Sequence, residues 1–173
     1  MNRRNILTAT ALALVVVTAS ALPSFAQSNP LLGTWKTNLE KSKFASGTAP
    51  KEQTSAYVQD GPNIKNMGKS VDYEGKPLET VLLHIYDGQP HPSTGNPLYD
   101  SSTYTKIDDH NIFWSRSKNG KQVMVGHMVM APDGKSYTTT NITTVGKGGI
   151  DIAVAENSKI GTLVFGTQQP HTR

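Results

Sequence analysis

The stretch YDGQPHPSTGNPLYD, residues 86–100, carries side chains that could contact a small molecule. Tyr86, His91, Asn96 and Tyr99 offer aromatic rings, an imidazole and an amide, which can stack on a ligand or hydrogen-bond to it. Its three prolines fix the backbone and remove amide donors, so the stretch is predicted to be a stiff loop. Two interpretations remain open: the rim of a ligand mouth, or a rigid connection packed by its own side chains.

The remaining candidates for chemistry are dispersed. The five histidines show no i, i+2 or i, i+4 pair and the chain has no cysteine, so no metal site or other cofactor is predicted. No Gly-x-Ser-x-Gly elbow or phosphate-binding glycine loop occurs in a suitable context, and no catalytic residue is predicted. If the protein were an enzyme, His84, His127 and Tyr86 would be the first group to inspect.

These side chains must be positioned by short β-strands. Asp60-Gly61, Glu74-Gly75, Asn119-Gly120 and Asp133-Gly134 are hairpin turn signals that separate segments rich in Thr, Val, Tyr and Ile. The predicted strands cover residues 33–38, 53–59, 64–73, 77–86, 101–107, 111–116, 122–130 and 136–145, with 150–155 and 162–165 as closing candidates. A single helical turn is predicted near residues 39–43.

This pattern predicts an all-β fold. An antiparallel up-and-down β-barrel fits best, because sequential hairpins favour a meander and closure removes exposed edges. A two-sheet β-sandwich is the alternative. The strands at 78–86 and 122–131 are largely apolar on both faces, whereas residues 136–144 are much more polar and are predicted to form a solvated strand. Either both faces of the two apolar strands are covered, or one faces the lumen and the other meets a partner or another part of the chain. The barrel is therefore expected to have an apolar side and a polar side.

Residues 1–26 are predicted to be a signal peptide. Arg3 and Arg4 precede an apolar stretch, and Ser24-Phe25-Ala26 offers small residues for cleavage after Ala26. Sec and Tat export both remain open. Residues 27–173 would then form one domain in the periplasm or outside the cell.

The net charge of +4 includes both arginines of the predicted signal peptide, Arg3 and Arg4. The mature chain has no basic run, so nucleic-acid binding is not expected. The apolar stretch at residues 6–22 is short and rich in Ala and Thr, so stable membrane insertion is not expected either.

Three blocks carry a resemblance to a known family. GTWKTNLEKSKF at residues 33–44, the 86–100 stretch, and DGKSYTTT at 133–140 resemble a family of small secreted bacterial proteins described as lipocalin-like. The resemblance covers residues 33 to about 145 and stops at Gly146. It implies a lipocalin-like barrel in which Trp35 closes one end. It implies no particular activity.

The leading hypothesis is a non-catalytic, exported protein that binds a small apolar or amphipathic molecule in the barrel. The predicted ligand-binding residues are Trp35, His84, Tyr86, His91, Asn96, Tyr99, Phe113 and His127. The second hypothesis is a cell-envelope interaction protein with a filled barrel and a protein partner. The third is an enzyme built on the same barrel.

Overall fold

The computed structural model describes residues 29–45, 47–146 and 148–158. These residues form an all-β structure without a helix. The strands within them are β1 Gly33–Lys43, β2 Glu52–Asp60, β3 Asn63–Val71, β4 Pro77–His84, β5 His91–Pro92, β6 Ser101–Lys106, β7 Asn111–Lys118, β8 Lys121–Met130, β9 Ser136–Thr143 and β10 Gly149–Asn157. Accordingly, no membrane-spanning helix occurs in the part of the chain that the structure describes.

All ten strands belong to one antiparallel sheet in the order β4-β3-β2-β1-β10-β9-β8-β7-β6-β5. Every hairpin joins neighbours, and the first described strand pairs with the last through Trp35–Asn157 and Thr37–Ala155. The sheet curls into a nearly closed barrel. The predicted up-and-down barrel is therefore confirmed over the sandwich.

The hairpins follow the turn chemistry of the sequence. Between β7 and β8, Asn119 and Gly120 both have positive φ angles, 51° and 75°. This conformation gives a two-residue turn whose twist matches the strands, and Asn-Gly is the pair that adopts it most readily. The predicted turns at residues 60–61, 74–75 and 133–134 likewise lie between consecutive strands.

Closure of the barrel depends on the 86–100 loop, which contains β5. Val81 on the edge strand β4 and Thr94 exchange two backbone hydrogen bonds of 3.1 Å each. The next residue, Gly95, has a φ of 88°, and a Cβ atom there would overlap the carbonyl oxygen of Glu79. Only glycine allows the loop to approach β4 this closely. We call this pairing of Val81 with Thr94 the seam.

The helical turn predicted near residues 39–43 was wrong, because β1 continues to Lys43. The register between β1 and β10 shifts between Asn38 and Lys43, which marks a bulge. Within it, Ser42 Oγ donates to the carbonyl oxygen of Asn38 at 2.6 Å and accepts from the amide of Val154 at 2.9 Å. The strand candidate at 162–165 lies outside the described residues.

One end of the barrel is filled by a core of aromatic and aliphatic side chains. Trp35 is only 1% exposed, and its Nε1 donates to the carbonyl oxygen of Leu31 at 2.8 Å. Its ring lies 4.9 Å from that of Tyr137. The core comprises Leu31, Trp35, Tyr57, Ile64, Tyr104, Ile112, Trp114, Met128, Met130, Tyr137 and Ala155. The lumen beyond this core holds the candidate site.

Candidate functional site

The lumen contains a cavity of about 170 Å³. Side chains that point inward from most strands line it, because alternate residues of each strand face the barrel interior. Its aromatic lining residues are Tyr57, Tyr99, Tyr104, Trp114 and Tyr137. Its amide groups come from Gln53, Asn66, Asn96 and Asn141, its imidazole from His84 and its guanidinium from Arg116. None of the described residues that line it is Asp or Glu.

Arg116 on β7 brings a positive charge into the lumen. The strand alternates so that Ile112, Trp114 and Arg116 share its inner face. The guanidinium carbon lies 4.3 Å from the Trp114 ring centroid and 4.6 Å from that of Tyr99. These distances are typical of cation–π contacts. The side chain therefore rests on aromatic rings.

Arg116 has few polar contacts. Its guanidinium donates a hydrogen bond to the Tyr104 hydroxyl. Nη1 is 3.9 Å from Met124 Sδ, and the buried Nε has no hydrogen-bond partner. None of the ion pairs found among the described residues includes Arg116. Burial opposes the charge, but interactions with Tyr99 and Tyr104 outweigh it and raise the pKa of Arg116. Among the described residues, therefore, no carboxylate forms an ion pair with Arg116.

His84 at the end of β4 lies close enough to Arg116 for the two to interact electrostatically, and it is 2% exposed. Its ring stacks on Tyr104 at 3.9 Å and meets the edge of Tyr57 at 5.4 Å. Burial, and secondarily the charge of Arg116, lowers the pKa of His84 to about 3. The imidazole is therefore neutral at pH 7, and its buried Nδ1 has no partner.

Two further features complete the polar lining. The hydroxyls of Tyr57 and Tyr137 are 3.4 Å apart. Burial raises the pKa of Tyr57 well above its usual range and that of Tyr137 to about 12, so both phenols stay protonated. Asn66 Nδ2 and Asn141 Oδ1 are buried without partners. The lumen thus presents both donors and acceptors, together with the cations of Arg116 and Lys69.

Three of the residues predicted to bind a ligand line this cavity: His84, Asn96 and Tyr99. Asn96 comes from the loop that carries the seam, and its Oδ1 accepts from the amide of Leu98 at 2.9 Å. Tyr99 is 4% exposed and lies against Arg116. The loop therefore both closes the barrel and supplies part of the cavity wall.

The structure places the other predicted residues elsewhere. Trp35 belongs to the core at the closed end, and Tyr86 packs against that core with a buried hydroxyl that has no partner. His91 Nε2 lies 3.0 Å from the carboxylate of Asp87 in the loop. Neither Tyr86 nor His91 lines the cavity.

Phe113 and His127 lie on the outer surface of the barrel. Their rings stack with centroids 4.1 Å apart and planes inclined by 4°. They border an outer recess of about 510 Å³ together with Val125 and Ile142. Phe113 is 48% exposed, so this wall is apolar and accessible to solvent. The apolar outer surface predicted for residues 122–131 is therefore found here, whereas residues 78–86 do not border the recess. Ile142 adds an apolar side chain from the strand that was predicted to be polar.

Sequence reasoning missed Arg116, Asn66 and Asn141. Strand alternation would have found Arg116 once Trp114, rather than Phe113, was assigned to the inner face, because residues two apart on a strand face the same way. Within the described residues, no group of three or more His, Asp or Glu is arranged to hold a metal ion.

Similarity to known proteins is found among solved structures alone. No family model and no curated protein matches the sequence. Among solved structures, the chain is similar to a redesigned β-barrel, mFAP1, bound to DFHBI, with a TM-score of 0.45 and 11% identity over 74% of this chain and 95% of that one. It is also similar to EF1p2_mFAP2b bound to DFHBI, with a TM-score of 0.41 and 8% identity over 75% and 94% of the respective chains.

Proposed function

We propose that the protein binds a small molecule in the lumen of the barrel and does not transform it. One observation carries the proposal. Four side chains that line the cavity, Asn66, His84, Arg116 and Asn141, each have a buried polar atom without a partner in the described chain. Buried polar groups in native proteins are almost always hydrogen-bonded, so four such atoms around one cavity support a bound molecule there.

The cavity limits what can bind. Its volume of about 170 Å³ is close to the roughly 150 Å³ cavity that is known to hold a benzene molecule. The ligand, or the part of it that enters the lumen, is therefore about the size of a substituted benzene. Of the two predicted classes, apolar and amphipathic, the polar lining favours the amphipathic one.

The proposal can be tested by native mass spectrometry of the protein from its source organism, before and after extraction with organic solvent. We expect a discrete additional mass that extraction removes. An Ala153→Phe variant fills the lumen from β10 without removing any of the four polar side chains, and it should lose that mass. Ile152→Phe is the matched control, because Ile152 is 37% exposed on the opposite face of the strand.

The outcomes separate clearly. Loss of the additional mass in Ala153→Phe but not in Ile152→Phe supports binding in the lumen. A protein that carries no additional mass, and whose thermal unfolding is unaffected by small aromatic molecules, contradicts the proposal. Retention of the mass in both variants would place the ligand outside the lumen.

We also propose that the chain is exported and cleaved after Ala26, as residues 1–26 suggest. Protein recovered from the periplasm or the medium should then begin at Gln27. Recovery of an intact N-terminus from the cytoplasm would contradict this.

The interaction-protein hypothesis keeps one supporting observation, the exposed patch around Phe113 and Ile142. That hypothesis also assumed a filled barrel, whereas the lumen retains a cavity. Lumen binding is therefore the better-supported function.

A further inference from the structure

The positive charge of Arg116 in the lumen is not balanced by a carboxylate of the described chain. Arg116 lies between aromatic rings, and no Asp or Glu lines the cavity in the described residues. Lys69 also borders the cavity, but it pairs with Glu79 at 3.1 Å. Burying a charge is costly unless it is paired and hydrogen-bonded. Cation–π contacts and the hydrogen bond to Tyr104 offset only part of this cost, because they leave Nε without an acceptor.

The groups around Arg116 do not supply a negative charge. His84 is neutral at pH 7 because burial lowers its pKa to about 3. The hydroxyls of Tyr57 and Tyr137 stay protonated because burial raises their pKa values. These phenols, like Asn66 Nδ2, can donate hydrogen bonds to an acceptor in the lumen.

We propose that the lumen ligand is a small aromatic carboxylate, whose anionic group accepts from Arg116 and whose ring contacts the surrounding aromatic side chains. The inference rests on the proposed function and adds the chemical class of the ligand. A carboxylate supplies both the missing charge and acceptors for the guanidinium, and charge-assisted hydrogen bonds of this kind are stronger than neutral ones.

The volume and lining of the cavity also restrict the part of the ligand that is not the carboxylate. A volume of about 170 Å³ accommodates one ring with a small substituent. The walls include Tyr99, Tyr104 and Trp114, whose rings favour an aromatic partner in stacked or edge-to-face contact. A long acyl chain would not fit within this volume.

The test compares two probes of nearly the same shape, benzoate and benzamide, by calorimetric titration at pH 7. Both fit the lumen, but only benzoate is charged. We expect benzoate to bind more tightly to the wild-type protein. Arg116→Met removes the charge while keeping an unbranched side chain, and it should weaken benzoate binding about tenfold or more. Benzamide binding should change less than twofold. Arg116→Lys, which keeps the charge, should retain part of the preference for benzoate.

Failure of this inference can be distinguished from failure of the proposed function. Equal binding of benzamide and benzoate would overturn the anionic assignment and leave lumen binding intact. Binding of inorganic phosphate or chloride as tightly as benzoate would overturn the aromatic assignment. Binding of none of these probes, with no ligand in the native protein, would overturn both. If Arg116→Met does not fold, the wild-type preference between the two probes decides the question.

Discussion

His84 gives the protein a pH-dependent stability that can be worked out from its surroundings. The groups facing the ring are Tyr57, Tyr104, Tyr86 and Arg116, and none of them carries a negative charge at pH 7. Burial and the neighbouring cation lower the pKa of His84 from 6.5 to about 3. As the pH falls below 6.5, His84 binds a proton in the unfolded chain but remains neutral in the folded chain. The free energy of unfolding must therefore decrease.

The size of this decrease follows from proton linkage. Each pH unit between the two pKa values costs about 1.4 kcal/mol of stability. Between pH 6.5 and pH 5 the expected loss is therefore about 2 kcal/mol from His84 alone. Exposed carboxylates with lowered pKa values, Asp87, Asp108 and Glu156, lose their contribution only at more acidic pH, because the ordinary pKa values of these groups are 3.8 to 4.5. The chosen window therefore separates the contribution of His84 from that of these carboxylates.

The assay is urea unfolding at a series of pH values from 8 to 5, with the free energy of unfolding extrapolated to water. His84→Phe keeps an aromatic ring but cannot titrate, so it should remove most of the pH dependence in this window. His127→Phe is the matched control on the outer wall, and it should leave the dependence unchanged. If wild type and His84→Phe lose stability in parallel between pH 6.5 and 5, the assignment of a buried neutral imidazole is refuted.

Three other substitutions test the fold. Gly126→Ala would place a methyl group inside the Trp114 indole, and overpacking of this kind should cost about 1–3 kcal/mol in urea unfolding; an unchanged midpoint would contradict the packing. Gly95→Ala should push the loop away from Glu79 and accelerate amide exchange at the seam, and unaltered exchange would show that closure does not need glycine. Trp35→Phe loses an indole hydrogen bond and core volume, so a loss of about 2–4 kcal/mol is expected, and a loss under about 0.5 kcal/mol would contradict its structural role.

Strand positions were predictable because hairpin turns have distinctive chemistry and strands alternate. Asn119-Gly120 marks a turn whatever surrounds it. β5 was not predicted, because a two-residue strand has no periodicity and depends on pairing with β6. The sequence does not distinguish the bulge in β1 from a helical turn, because residues 39–43 are mostly polar and show no strand alternation.

The site was harder to predict, because it depends on which face of each strand turns inward. Phe113 and Trp114 are adjacent, so only one of them can face the lumen, and local sequence does not say which. Arg116 was missed because charged residues almost always face water. Its inward position conflicts with that rule, and such conflicts between local preference and tertiary position are expected at functional sites.

The order of the strands has a consequence for circular permutation. The longest-range ladder in the chain joins β1 to β10, while the seam lies near the middle of the sequence. A permuted chain that links residue 158 to residue 29 and opens within the 86–100 loop would have every strand follow its neighbour in sheet order. All ladders would then be local hairpins, which lowers the contact order and favours faster folding. The same cut would leave the seam without a covalent connection, so barrel closure would depend on the Val81–Thr94 pairing and its adjoining contacts.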